Sequence, residues 1–79
     1  MTREEVYDAL NEIFRDNFDD DSIELNDDTT AEDIEDWDSL EQINLIVAIE
    51  NQFKIKFNIK EVNRLKNVGE MTDIIISKL

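Results

Sequence analysis

The side chains with chemistry to offer are carboxylates and one hydroxyl at a telling place. Asp38-Ser39-Leu40-Glu41 has the pattern of a helix start, with Asp38 at the N-cap and Glu41 at the third helical position. Ser39 then takes the first helical position, where free backbone N–H groups and the positive end of the helix dipole favour a phosphate. A serine hydroxyl attacks only with the help of a neighbouring base, and the sequence contains no His and no Cys. The commonest general base and metal ligand are therefore missing, as is a thiolate nucleophile. From the capping pattern alone Ser39 reads as an ordinary first-turn serine behind the Asp38 cap; if it has a chemical role, it makes better sense as a residue that another enzyme modifies than as a nucleophile. Paired carboxylates such as Asp36 and Asp38 serve glycoside hydrolysis only inside a substrate-sized cleft. The aspartates of 16–28 resemble a calcium loop, which needs Gly at its sixth position and Glu at its twelfth. Counting from Asp19 these are Glu24 and Thr30; counting from Asp20 they are Leu25 and Ala31. Neither register makes a dedicated metal site.

A chain of 79 residues is expected to form one domain, buries roughly 60–65% of its unfolded surface, and has little room for a deep, walled active site. Hydrophobic residues make up 41% of it, enough for a core. The net charge of −13 argues against nucleic acid and anionic membranes as partners, and for basic protein surfaces. That charge is uneven: −2 over 1–15, −14 over 16–53 with no basic residue at all, and +3 over 54–79. The longest apolar run, Leu45–Ile49, is too short to span a bilayer, and the first residues lack the apolar stretch of a signal peptide. The expectation is a cytoplasmic protein without membrane insertion.

Four elements must position Ser39. Thr2 and Glu5 form a capping box, and Val6, Leu10, Ile13, Phe14 and Phe18 follow on one face, which predicts a helix over 3–17. Residues 19–37 read as a loop pinned by Ile23, Leu25, Ile34 and Trp37, with a helical turn after Thr30. The second helix is predicted over 39–53. Its apolar face is wide, with Leu40, Ile43 and Val47 on one line and Leu45, Ile46, Ile49 and Phe53 on others, so it is expected to pack on two sides. Residues 54–59 alternate but have no second strand to pair with, and read as an extended connector. A short helix is expected from Lys60 to about Lys66, with Val62 and Leu65 inward. Asn67 caps a last helix with Glu70 at its third position and Met71, Ile74, Ile75 and Leu79 inside. The expected core is Val6, Leu10, Ile13, Phe14, Leu45, Ile46, Ile49, Phe53, Leu65, Ile74 and Ile75. The fold class is all-α: a small antiparallel bundle of three longer helices and one short one, with a long loop after the first.

Asp38-Ser39-Leu40 at mid-chain, the helix running to Ala48-Ile49-Glu50-Asn51-Gln52-Phe53, the connector with Phe57 and the Val68-Gly69-Glu70-Met71 opening of the last helix resemble the acyl carrier protein family. The lead-in Ala31-Glu32-Asp33-Ile34 resembles that family's acidic segment before its serine motif. The resemblance covers essentially the whole chain. It implies a non-catalytic carrier of acyl thioesters for fatty-acid, polyketide or related biosynthesis. Ser39 matches the serine that receives phosphopantetheine from coenzyme A through a separate phosphopantetheinyl transferase, usually with magnesium. Asp38 matches an aspartate that caps the helix and contacts the metal or the transferase. Leu40, Glu41 and Val47 match positions that meet partner enzymes, the acyl-transferring or acyl-activating enzymes whose docking patches are basic. The absent Cys fits, because the working thiol belongs to the prosthetic arm, and a monomer is implied. The alternatives are a carrier of aminoacyl or peptidyl groups and an acidic adaptor that is never modified. Asn44 and Asn51 depart from the acidic second helix of fatty-acid carriers, and Val62 stands where a small residue is usual, which narrows the family's acyl pocket. Trp37 is expected near the start of the second helix, plugging the end of the bundle rather than flanking the arm.

Overall fold

The computed structural model describes residues 1–79 as four helices with no strand: α1 (Arg3–Phe18), α2 (Ser39–Phe53), α3 (Ile59–Asn63) and α4 (Val68–Lys78). The bundle expected from the sequence is the one observed. α1 packs against both α2 and α4.

Each helix begins on a side chain that accepts from the N–H three residues on. At α1 the exchange is reciprocal: Glu5 N–H donates to Thr2 Oγ1 (3.1 Å) and Thr2 N–H to Glu5 Oε1 (2.8 Å). The same reciprocal box opens α3 at Asn58 and Glu61, so α3 starts one residue before the expected Lys60 and ends at Asn63. Asn58-x-x-Glu61 is itself a capping signature, and it is the signal for this boundary. α1 and α2 each end on a residue in the left-handed region, Asp19 (φ 50°) and Lys54 (φ 57°), which turns the chain out of the helix.

The core runs along α1 through Val6, Leu10 and Phe14, meets Leu45, Ile49 and Phe53 of α2, and closes on Val68, Met71 and Ile75 of α4. Ile46 is also buried. Three expected core residues, Ile13, Leu65 and Ile74, are only half-buried. The inner face of α4 is rotated from the expected one: Val68, Met71, Thr72 and Ile75 face in, and Leu79 is exposed. Thr72 can face in because its Oγ1 donates to the Val68 carbonyl (2.8 Å), satisfying the one polar atom it buries.

The long loop is held at many points, which its lack of periodicity did not forecast in detail. Ile23 is buried in the core, while Leu25, Ile34 and Trp37 pack on its edge. After Thr30 the chain makes hydrogen-bonded turns, Asp33 N–H to Thr30 and Trp37 N–H to Ile34, without forming a helix. At its middle, Val68 N–H donates to Thr29 O (2.9 Å) and Gly69 N–H to Asp27 O (3.1 Å). A Cβ at position 69 would lie 2.8 Å from that Asp27 oxygen, so only glycine lets the loop approach α4 this closely. Asp27 also accepts from Arg3 Nη2 (2.9 Å) and the Tyr7 hydroxyl. The connector after α2 stays extended because Glu50 Oε2 accepts the Phe57 N–H (2.8 Å).

Candidate functional site

Ser39 is the first residue of a 15-residue helix and is exposed. Asp38 caps that helix as expected, its Oδ1 accepting from Glu41 N–H (2.9 Å) while its carbonyl accepts from Gln42 N–H (2.9 Å). The N–H groups of Ser39 and Leu40 have no protein partner. They face outward at the positive end of the helix dipole, where an attached phosphate group is stabilised.

The three serines of the chain differ in a way that singles out Ser39. Ser22 Oγ donates to Asp20 Oδ1 (2.6 Å) and Ser77 Oγ donates to the Ile74 carbonyl (2.6 Å). Ser39 Oγ has no protein partner, so modifying it breaks no bond of the fold.

Beside Ser39 an open cleft runs between the start of α2 and α3, lined by Trp37, Gln42, Ile43, Val62, Leu65 and Lys66. Trp37 packs edge-on against Phe14 at 5.2 Å between ring centroids, at the end of the bundle, yet it also stands beside Ser39, so the expected choice between plugging the bundle and flanking the site is not an exclusive one. It also forms part of the cleft wall. An exposed hydroxyl, free N–H groups and an adjoining open cleft leave room for a phosphate ester at this helix start.

Glu41 is not the second half of a capping box. Its carboxylate instead accepts from Asn44 Nδ2 (2.8 Å) and from Asn17 Nδ2 (3.2 Å), tying the end of α1 to the start of α2. Asn44 is an i,i+3 neighbour of Glu41 on the same helix, whereas nothing in the spacing of Asn17 announces its cross-helix contact.

The expectation that α2 packs on two sides does not hold. Leu40, Ile43 and Val47 are 67%, 62% and 50% exposed, whereas Leu45 and Ile49 are wholly buried. No other element of the chain covers the first stripe, because α3 is only five residues long and passes beside it. The exposed stripe starts next to Ser39, and Leu40 and Val47 both lie on it.

The chain matches the family model described as a phosphopantetheine attachment site over residues 8–75. It is 30% identical over its whole length to the acyl carrier protein of Petrotoga mobilis, covering 93% of that protein. It is 26% identical to the acyl carrier protein of Lactobacillus acidophilus over 98% of this chain and 96% of that one. The solution structure of holo acyl carrier protein from Geobacter metallireducens superposes with a TM-score of 0.87 at 53% identity, over 91% of this chain and 83% of that one. A matched family model spanning most of the chain, an uncovered hydroxyl at a helix start and a shared fold lead to one conclusion: the chain belongs to the acyl carrier protein family, whose prosthetic group is a covalently attached phosphopantetheine.

Proposed function

We propose that Ser39 is the attachment point, loaded from coenzyme A by a phosphopantetheinyl transferase, and that the chain is a monomeric, cytoplasmic carrier with no catalysis of its own. The carrying observation is that Ser39 alone among the serines has a hydroxyl free of partners at the start of a long helix. Loading forms a phosphodiester at Ser39 Oγ as the pyrophosphate link of coenzyme A breaks and the nucleotide leaves. The Ser39 proton goes to a base of the transferase, since this chain places no imidazole or thiolate nearby. When attached, the group supplies a thiol that holds acyl groups as thioesters.

The chain's own part is to hold and present. Asp38 fixes the first turn through Glu41 N–H and keeps a negative charge beside Ser39, where the metal ion of the transferase is to be met. The exposed Leu40 and Val47 supply apolar contact with partner enzymes. Glu41 and the acidic lead-in steer basic docking patches toward Ser39, since charge complementarity acts chiefly on encounter. Incubation of the apo protein with coenzyme A, magnesium and a broad-specificity transferase tests the reading. The expected mass gain is one phosphopantetheine; no gain overturns it.

A further inference from the structure

With 21 acidic residues and only 8 basic ones, every base in the chain has carboxylates to choose from. Three bases are engaged. Arg3 pairs with Asp27 (2.9 Å) and Asp73 (2.7 Å), Lys78 pairs with Glu61 (3.0 Å), and Arg15 Nε donates to the Ile23 carbonyl (2.7 Å). The other five, Lys54, Lys56, Lys60, Arg64 and Lys66, are all exposed and form no ion pair. They fall together, between the end of α2 and the start of α4. The carboxylates nearest them in sequence are held by backbone N–H groups instead: Glu50 by Phe57, Glu61 by Asn58 and Glu70 by Lys66. Lys54 answers the negative end of the α2 dipole, and Arg64 is felt weakly by Glu61; Lys56, Lys60 and Lys66 have no such local use. In the same stretch Ile59 is 79% exposed, more than any other large hydrophobic side chain. It opens α3 beside Lys60, and Lys60 and Arg64 stand one turn apart. One exposed isoleucine means nothing alone, but this one lies among the only block of unpaired cations.

We propose that residues 54–66 form a second docking surface, opposite in sign to the acidic lead-in to Ser39, and that its partner is an acidic protein segment with an apolar residue to cover Ile59. Carboxylates of that segment meet Lys56, Lys60 and Arg64, which the chain's own acids leave free. The surface selects at close range rather than attracting from afar. The net charge of −13 repels an acidic partner at a distance, and the five cations act only within a Debye length, about 8 Å at physiological salt. A flat anionic membrane would face the acids of 16–53 as well as the cations, and α3, with five residues, has no amphipathic length to insert. A narrow acidic segment can touch the cations alone. Lys66 also lines the cleft beside Ser39, so a partner held here stands next to the site.

The test uses the full chain without any modification, so its outcome is independent of Ser39. Two peptides of equal length are titrated at physiological salt while backbone amide shifts are followed: oligoglutamate with one central leucine, and oligolysine with the same leucine. The glutamate peptide should move the amides of 54–66, and the lysine peptide those of 20–41. Lys60→Glu combined with Arg64→Glu should weaken binding of the glutamate peptide about tenfold. Ile59→Ser should weaken it about threefold and leave its salt dependence unchanged. Lys60 and Arg64 are exposed, so the doubly reversed chain should melt as wild type does. Should it not fold, Lys60→Gln combined with Arg64→Gln decides, with an expected loss of about threefold. Unmoved amides over 54–66, or equal affinity of wild type and the folded charge variant for the glutamate peptide, overturns the proposal. Sedimentation with phosphatidylglycerol vesicles that is lost in the charge variant overturns it too, and assigns the surface to lipid.

Discussion

The two apolar stripes of α2 are nearly indistinguishable as sequence and opposite as structure. Leu45, Ile49 and Phe53 vanish into the core, while Leu40, Ile43 and Val47 stand in solvent beside Ser39. Helical periodicity reports that a face is apolar; it does not report what covers it. In a chain this small, the only elements left to cover the second stripe are a five-residue helix and an extended connector, and neither lies across it. Exposed apolar surface next to a modifiable hydroxyl is what a carrier needs if other enzymes must grip it, and a scattered exposed leucine alone carries no such meaning.

The sharpest way to break this comparison is to truncate one residue on each stripe. Leu45→Ala should cost about 2–5 kcal/mol of stability, as expected for a cavity in a closed core. Leu40→Ala should change it by no more than about 0.5 kcal/mol. Urea midpoints of the two variants check this, and similar losses would mean that both stripes are packed. Between these extremes lies Asp38→Ala, which removes the cap on Glu41 N–H and should cost roughly 0.5–2 kcal/mol. It should also slow loading, read as the rate of mass gain under transferase.

Docking should separate the stripes in the reverse order. Leu40→Ala should shorten the lifetime of the complex with transferase, with little dependence on salt. Glu41→Lys should slow association at low salt and recover at high salt. It should also lower stability slightly, since Glu41 holds Asn17 and Asn44. Stopped-flow binding at two salt concentrations measures both, and equal association rates for wild type and Glu41→Lys at low salt would remove the steering role.

The smallest effect concerns acid. Asp27 is held below the usual carboxylate range by the Tyr7 hydroxyl and then by Arg3, and Glu61 by the Asn58 N–H and then by Lys78. A carboxylate depressed in the folded state stabilises above its unfolded value, near 4, and that share is lost as pH falls through the folded value. Wild type should therefore exceed Asp27→Asn in stability at neutral pH, and the gap should narrow below about pH 4. A gap that stays constant from pH 7 to 3 would show that the Asp27 charge contributes nothing.

Much of this was legible in the sequence because local rules dominate a small helical chain. The caps at Thr2, Asp38 and Asn67 set three helix starts, since each needs only a side chain and an N–H three residues on. The anchors Ile23 and Trp37 stood out as isolated apolar residues in an acidic stretch. What was not legible depends on contacts distant in sequence. The seat of the loop on α4 depends on Gly69 meeting Asp27, and that meeting favours the Val68–Met71–Ile75 face over Ile74. The contact of Glu41 with Asn17 and the second role of Trp37 as a cleft wall come from how α1, α2 and α3 meet. Ser39 was visible as a candidate from its neighbours, while the contrast with the engaged hydroxyls of Ser22 and Ser77 emerged only from the hydrogen bonds.

Locating the prosthetic group tests the central claim most directly. Wild type, Ser22→Ala, Ser39→Ala and Ser77→Ala are each incubated with coenzyme A, magnesium and transferase, weighed intact, and fragmented to place the added mass. A single phosphopantetheine is expected on Ser39 in wild type, Ser22→Ala and Ser77→Ala, and none on a folded Ser39→Ala. A phosphopantetheine on Ser39→Ala, or on any fragment of the wild type that lacks Ser39, would contradict the claim.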